Sequence, residues 1–138
     1  DVDDFKSVND STEYTFGDEV LKKVGETLRA TVRATELAAR CGGDEFCLLL
    51  PQTTPKEAVQ TALRIRQRVA ETVVQLGGYS RQVTVSIGID AHDARTPGSV
   101  ELLRSRANLA LKEAKKRGKN QVWLYSGEVT EASAGGQD

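Results

Sequence analysis

Five acidic side chains fall in two short clusters, Asp1, Asp3 and Asp4 at the start of the chain and Asp44 with Glu45 further along. If the strands that carry them are neighbours, two carboxylates converge. Hard oxygen donors of that kind suit magnesium, which binds through one or two carboxylates plus substrate phosphates. A nucleotide is the natural substrate of such a centre. Each cluster alone is a weak signal, because an Asp-x-Asp triplet is common by chance and acidic turns are ordinarily just solvated. Gly42 and Gly43 precede the second cluster. Without side chains they let backbone approach a phosphate and let adjacent amides donate to its oxygens, although a plain hairpin turn is the simpler account of them. Lys115, Lys116, Arg117 and Lys119 form a basic group, and Lys115 and Lys119, four apart, can project to one side and neutralise a triphosphate. The same cations would complement the negative end of a helix dipole. Both readings stand at this level.

Periodicity locates the elements that must position these groups. Asp1 to Phe5 reads as the end of a strand, followed by a polar loop to about Phe16. From Gly17 to near Ala34 a helix is predicted, with Val20, Leu21, Val24, Leu28 and Val32 at helical spacing and Asp18 and Glu19 at the positive end of its dipole. Leu37 to Arg40 and Phe46 to Leu50 read as two short strands around Gly42 and Gly43. Thr54, Pro55 and Glu57 supply the N-cap, first-turn proline and capping-box partner of a second helix, whose apolar face is Ala58, Ala62, Ile65 and Val69. Gly77 and Gly78 interrupt the chain. Val83, Val85, Ile87 and Ile89 then alternate with Thr84, Ser86 and Gly88 as a half-buried strand. Ser99 can cap a third helix with the stripe Leu103, Ala107, Ala110 and Ala114, which ends in the basic group before Gly118. Gln121 to Tyr125 closes as a strand, and the small, polar stretch 126–138 reads as a disordered tail. There are no internal repeats. Strand, helix, hairpin, helix, strand, helix, strand is an α+β order with helices flanking a central mixed, mostly antiparallel sheet. That architecture serves many chemistries, so function has to be sought in the site.

Composition narrows the classes. At 138 residues, 38% hydrophobic and 28% charged with mean hydropathy −0.42, the chain suits one soluble domain with a real core. Nineteen Lys and Arg against 20 Asp and Glu give a formal net charge of −1 and no global field for nucleic acid. The longest apolar stretch, Phe46 to Leu50, is far short of the roughly 20 residues of a membrane span, and no basic-then-apolar N-terminal segment resembles a secretion signal. Cys41 and Cys47 are too few for a disulfide framework or a zinc site and read as a reduced cytoplasmic pair. The chain opens on Asp1 rather than Met, directly on the acidic motif, so it reads as a fragment whose upstream part is absent.

Gly42-Gly43-Asp44-Glu45-Phe46 spells the GGDEF signature in full, a string expected by chance in a chain this long with probability on the order of 10⁻⁴. Asp1-Val2-Asp3-Asp4-Phe5-Lys6-Ser7-Val8-Asn9-Asp10 is similar to the D-x-D-x-F-K-x-[IV]-N-D segment of the same family. Gly17-Asp18 with Leu21 is similar to its G-D-x-x-L helix start, Thr84-Val85-Ser86-Ile87-Gly88 to its T-[IV]-S-x-G strand, and Ala114-Lys115 through Gly118, Lys119 and Asn120 to its A-K-x-x-G-[RK]-N segment. From Asp1 to about Trp123 the chain therefore resembles a GGDEF domain, the catalytic domain of diguanylate cyclases. The resemblance implies a palm-like, ferredoxin-like nucleotide cyclase fold, with residues 1–125 as an N-terminally incomplete catalytic domain.

It also implies roles. Asp1, the Val2 carbonyl and Asp44 would hold magnesium or manganese, with Glu45 a further ligand or a base near the attacking hydroxyl. Asn9 and Asp18 would read guanine, since a carboxylate accepts from N1 and N2 hydrogens that adenine does not offer. Lys6, Lys115 and Lys119 would hold phosphates, while Gly42 and Gly43 let the nucleotide lie against the hairpin. The implied reaction joins two GTP into cyclic di-GMP with release of pyrophosphate, in a homodimer with one GTP per domain. An upstream sensor domain and a cytoplasmic location, including as part of a larger membrane-anchored protein, are implied too, with neither nucleic acid nor membrane contacting this segment.

Some positions depart from the family pattern. Glu13-Tyr14 stands where Gly-His is usual, Cys41 where an aromatic precedes the signature, and Leu111 where the last helix has Tyr. The product-inhibition motif R-x-x-D reads Arg33-Ala34-Thr35-Glu36, which moves the charge by a methylene and predicts weakened or absent feedback binding of cyclic di-GMP. Two other classes compete: a catalytically silent domain that binds GTP or cyclic di-GMP as a receptor, separated by product formation, and another palm-like nucleotidyl transferase or class III cyclase, separated by ATP against GTP.

Overall fold

A computed structural model describes residues 1–12, 14–92, 98–126 and 129–132. Among the described residues four helices, α1 (Phe5–Ser11), α2 (Tyr14–Thr31), α3 (Pro55–Glu71) and α4 (Val100–Lys116), combine with seven strands. The strands are β1 (Leu37–Arg40), β2 (Phe46–Leu49), β3 (Val73–Leu76), β4 (Tyr79–Gln82), β5 (Ile87–Asp90), β6 (Val122–Tyr125) and β7 (Val129–Ala132). β1 with β2, β3 with β4 and β6 with β7 pair antiparallel, and β5 with β6 parallel. The α+β class with a mixed, mostly antiparallel arrangement and flanking helices is the one expected.

Residues 1–3 stitch the ladders together. Val2 donates its N–H to the Asp44 carbonyl (3.1 Å), Asp3 donates to Thr84 (2.9 Å), and Ser86 donates back to Asp1 (3.1 Å). Val2 thereby forms an antiparallel bridge with Val85, and the start of the chain lies between the signature hairpin and the residues leading into β5.

The core collects Phe16, Val20, Val24 and Leu28 of α2, Ile65 and Val69 of α3, and Val2, Val74, Val83 and Val85 from the strand layer. α3 forms as its cap predicts. The Thr54 hydroxyl accepts from the Glu57 N–H (3.2 Å) while the Glu57 carboxylate accepts from the Thr54 N–H (2.8 Å), satisfying two end donors that otherwise face water. α4 is capped by Ser99, whose hydroxyl accepts from the Leu102 N–H (3.1 Å). It then rides directly on β5: a Cβ at Gly88 would lie 2.1 Å from the Ala107 carbonyl oxygen and 2.3 Å from the Leu111 nitrogen. Only glycine admits that approach, and it fixes where the basic end of α4 falls.

The sequence misses several elements. Phe5–Ser11 is helical where a polar loop to Phe16 is expected, and Asp1 to Phe5 is not a regular strand. α1 buries only Val8, so it shows no apolar period to read. α2 begins at Tyr14 and stops at Thr31, against the expected Gly17 and Ala34. Gly77 and Gly78 do not merely interrupt the chain but turn the β3–β4 hairpin, Gly77 taking φ +60. β4 is exposed throughout, which leaves no alternation to detect. The Val83 to Ile89 segment is not half-buried, because Ser86 is 0% exposed. Val129–Ala132 pairs with β6 where a disordered tail is expected; the rest of that expectation, at residues 127–128 and 133–138, lies outside the described residues. Glu13 lies outside them as well, so the Glu13-Tyr14 departure is not described.

Candidate functional site

The site grows out of the stitch. Because Val2 is hydrogen bonded to Asp44, the opening acids and the signature turn lie side by side. The Asp1 carboxylate is ion-paired with Lys115 through Oδ2, while its Oδ1 is buried with no partner. An orphaned carboxylate oxygen in that position is a cost unless a cation or donor completes it. Asp1, the Val2 carbonyl and Asp44 supply two carboxylates and a carbonyl, the number and hardness that magnesium takes when substrate phosphates fill the remaining positions. Among the described residues no group of three or more His, Cys, Asp or Glu is placed to hold an ion, so a cation here would depend on phosphate to complete its shell.

Asp3 organises what surrounds Asp1. It is buried, and its carboxylate accepts from the hydroxyls of Thr84 and Ser86 (both 2.7 Å) and from the Asn120 N–H (3.0 Å). Three separate stretches of sequence are tied by one side chain. The Asn120 bond matters because Lys119 and Asn120 both adopt left-handed backbone, φ 63 and 51, which non-glycine residues hold at a cost of about 1–3 kcal/mol each where surroundings insist. Lys119 also donates its N–H to the Ala114 carbonyl (3.0 Å), wrapping the end of α4. The wrap brings the Lys119 ammonium to Asp4 (2.5 Å). That hydrogen bond, and then the charge of the same carboxylate, holds the ammonium above the ordinary lysine value. Lys115 and Lys119 thus reach the same acidic edge, Lys119 through the left-handed wrap beyond α4 rather than through helical spacing, whereas Lys6 is exposed on α1 with no described ion pair.

The hairpin turn is built differently. The Arg40 guanidinium donates to the carbonyls of Gly42 (3.2 Å) and Gly43 (2.8 and 3.0 Å), and Cys41 donates its N–H to Glu45 (2.8 Å). Neither glycine takes a left-handed φ, and a Cβ at Gly43 would meet nothing within 4 Å. The turn itself does not require glycine at 43, so the open space there faces outward to whatever lies against the hairpin.

Asn9 and Asp18 come from α1 and α2. They are brought near each other because Gly17 sits against Asn9: a Cβ there would fall 1.9 Å from Asn9 Oδ1, an oxygen that is buried without a partner. Asp18 is exposed and lines an open hollow of about 460 Å³ with Leu21, Lys22 and Arg40. Arg33 and Glu36 lie in the turn before β1, where the Glu36 carboxylate accepts from the Arg33 N–H (2.6 Å) and Glu36 donates back to the Arg33 carbonyl (3.0 Å). Glu36 is engaged with backbone rather than held out beside the guanidinium. Cys41 and Cys47 are free thiols. Burial, and after it the adjoining Cys41 thiol, pushes the Cys47 thiol up to about 11.

Asp3, grouped by sequence with the candidate metal-binding acids, is instead engaged by Thr84, Ser86 and Asn120, and Arg40 is a residue that sequence reasoning passed over. For Asp3 a signal existed: two hydroxyl residues on one strand, Thr84 and Ser86, need a buried acceptor. Arg40 carried none, because a strand-end arginine is ordinarily solvent-facing.

Comparison with known proteins identifies the family. Residues 1–121 match the family model described as "Diguanylate cyclase, GGDEF domain". Among curated relatives, the uncharacterized protein YhcK of Bacillus subtilis is 40% identical over 125 residues, covering 88% of this chain and 34% of that protein. Diguanylate cyclase A of Treponema denticola is 34% identical over 132 residues, covering 96% of this chain and 35% of that protein. The chain spans about a third of the length of these relatives. Among solved structures, the diguanylate cyclase SiaD from Pseudomonas aeruginosa, in complex with its activator SiaC, superposes with TM-score 0.85 at 34% identity, covering 91% of this chain and 47% of that one. With the signature on its hairpin, the opening acids beside it and the family match across residues 1–121, the chain belongs to the GGDEF domain family.

Proposed function

We propose that residues 1–125 form a diguanylate cyclase domain that condenses two GTP into cyclic di-GMP. The observation that carries this reading is the shared edge where Asp1, with one carboxylate oxygen unpartnered, meets the Asp44 turn and the ammonium of Lys115. Asp1, the Val2 carbonyl and Asp44 would hold magnesium or manganese, which when bound supplies charge neutralisation at phosphoryl oxygens and a lowered pKa for the attacking hydroxyl. Lys115 and Lys119 exchange their carboxylate partners for triphosphate oxygens, and exposed Lys6 adds a further contact. Asn9 and Asp18 orient guanine at the hollow, with the Asp18 carboxylate accepting from N1 and N2 hydrogens. Gly43 leaves the hairpin open for the nucleotide.

The 3′-hydroxyl of one GTP attacks the α-phosphate of another, the α–β phosphoanhydride bond breaks and pyrophosphate leaves. The reciprocal attack closes the ring. Glu45 stands beside Asp44 to accept the hydroxyl proton. Each domain holds one GTP, so two copies must face each other, and catalysis is chiefly positioning. A reaction that consumes GTP would run in the cytoplasm, where GTP is supplied. Among the described residues no helix is long and apolar enough to cross a membrane.

The test is chromatography of a reaction with GTP and magnesium, run beside Asp44→Asn and Glu45→Gln. Cyclic di-GMP should form with the wild type and fall at least about 10²-fold with either variant, the scale on which loss of a charge-stabilising group acts. Equal product from the variants would overturn the site. GTP binding with no product from the wild type would favour a receptor domain.

A further inference from the structure

The two cysteines bracket the signature hairpin, and the proposed reaction uses neither. Cys47 pairs with Ala39 across β1 and β2, and Cys41 is opposite Glu45 through its N–H bond (2.8 Å). Since alternate residues of a strand share a face, Ala39, Cys41, Glu45 and Cys47 all project to the same side. The two thiols are therefore diagonal neighbours on one face, with Glu45 across from Cys41 and two residues before Cys47. Cys41 is exposed and Cys47 partly so.

We propose that Cys41 and Cys47 form a dithiol modification site that a small-molecule disulfide converts to an intramolecular disulfide across the signature turn. The Cys41 sulfur, the more accessible, attacks one sulfur of the reagent. A mixed disulfide forms and one reagent thiol leaves. The Cys47 sulfur then attacks Cys41 Sγ and expels the second reagent thiol. Two protein thiols are oxidised to one disulfide, the reagent disulfide is reduced to two thiols, and the two protons pass from the cysteines to the departing sulfurs.

The geometry makes this bond consequential. Diagonal partners in an antiparallel pair stand about 7–8 Å apart at Cα, beyond the roughly 4.4–6.8 Å of a relaxed disulfide. Closure draws β1 and β2 together at the turn and shifts Asp44 and Glu45 away from the position that the Val2–Asp44 bond sets. A disulfide closed under such strain is the readily reducible kind, so the modification is reversible by thiols.

Cys41 and Cys47 fall on one tryptic peptide, between the cleavage points after Arg40 and Lys56, which makes the test direct. The chain is incubated with oxidised glutathione and digested without reduction. The expected peptide is lighter by two hydrogens, and Cys47→Ser should instead accumulate one glutathione on Cys41. A wild-type peptide that carries glutathione on both sulfurs, or that stays a dithiol, would overturn the proposal. Magnesium–GTP affinity, measured by calorimetry on the oxidised and reduced chain, should fall severalfold on oxidation and recover with dithiothreitol. Unchanged affinity in the oxidised form would remove the effect on the site. The sulfur chemistry does not rest on the cyclase reading: a reduced chain that makes no cyclic di-GMP would sink that reading alone.

Discussion

The buried acid at Asp3 and the acidic turn at Asp44 and Glu45 are a few residues apart in space yet obey opposite rules. Asp3 has its carboxylate filled by Thr84, Ser86 and Asn120 and no face left for a ligand. Asp44 and Glu45 are held by backbone bonds at the hairpin, while their side chains have no described hydrogen bond or ion pair within the chain. The difference separates scaffold from chemistry: a carboxylate whose oxygens are all satisfied by protein holds other residues in place, whereas one left open waits for something from outside. Asp1 lies between the two, with one oxygen on Lys115 and the other unpartnered.

Replacing Asp3 breaks this comparison most severely. Asp3→Ala leaves two hydroxyls and the Asn120 N–H without a buried acceptor, at about 1–3 kcal/mol for each group that water cannot reach. A loss of at least about 3 kcal/mol in urea unfolding is expected, and a left-handed Lys119-Asn120 pair without support should relax, weakening nucleotide binding as well. If Asp3→Ala unfolds at the wild-type midpoint, the scaffold role is wrong. Asp18→Asn probes an open carboxylate by contrast. It should leave the unfolding midpoint unchanged while the preference for GTP over ATP in a competition titration narrows about tenfold, near 1.4 kcal/mol. An unaltered preference would take Asp18 out of guanine recognition.

Smaller effects sharpen the contrast away from the centre. Because Glu36 caps the Arg33 turn, the shorter Glu36→Asp should release that backbone bond and present its charge beside Arg33. Product titration by calorimetry should then show cyclic di-GMP bound severalfold more tightly than by the wild type. Tight product binding at Arg33 in the unaltered chain would contradict the weakened feedback expected from its sequence. Thr54→Ala removes one partner of the α3 capping box and should cost about 1 kcal/mol of stability with turnover unaffected. Glu57 adds a pH dependence there. The hydrogen bonds from Thr54, backbone first, hold its carboxyl below the usual range, so its contribution is present above the unfolded carboxylate pKa and fades as pH falls through the lower folded value. Glu57→Gln, which removes the titrating carboxyl, should flatten that acid limb in thermal melts followed across pH.

Where the chain carries its own instructions, the sequence is legible. The α3 cap needs only Thr54, Pro55 and Glu57, and the α2 and α4 stripes show their period in neighbouring residues. Elements stabilised from outside stay hidden: α1 rests on the approach of Gly17 to Asn9, β4 exposes every residue, and β7 depends on β6. The site divides in the same way.

Sequence alone determined which groups are present: the acids at both ends of the site, glycines in the hairpin, lysines at a helix end and two thiols around the signature. These follow from local spacing and strand alternation, which need no knowledge of distant neighbours. Only the tertiary structure decided which of them are available. Val2 reaching Asp44, Gly88 admitting α4 and Asp3 gathering Thr84, Ser86 and Asn120 are contacts between residues far apart in the chain. Whether an acid is filled by such contacts or left open is a property of packing, and no reading of adjacent residues contains it.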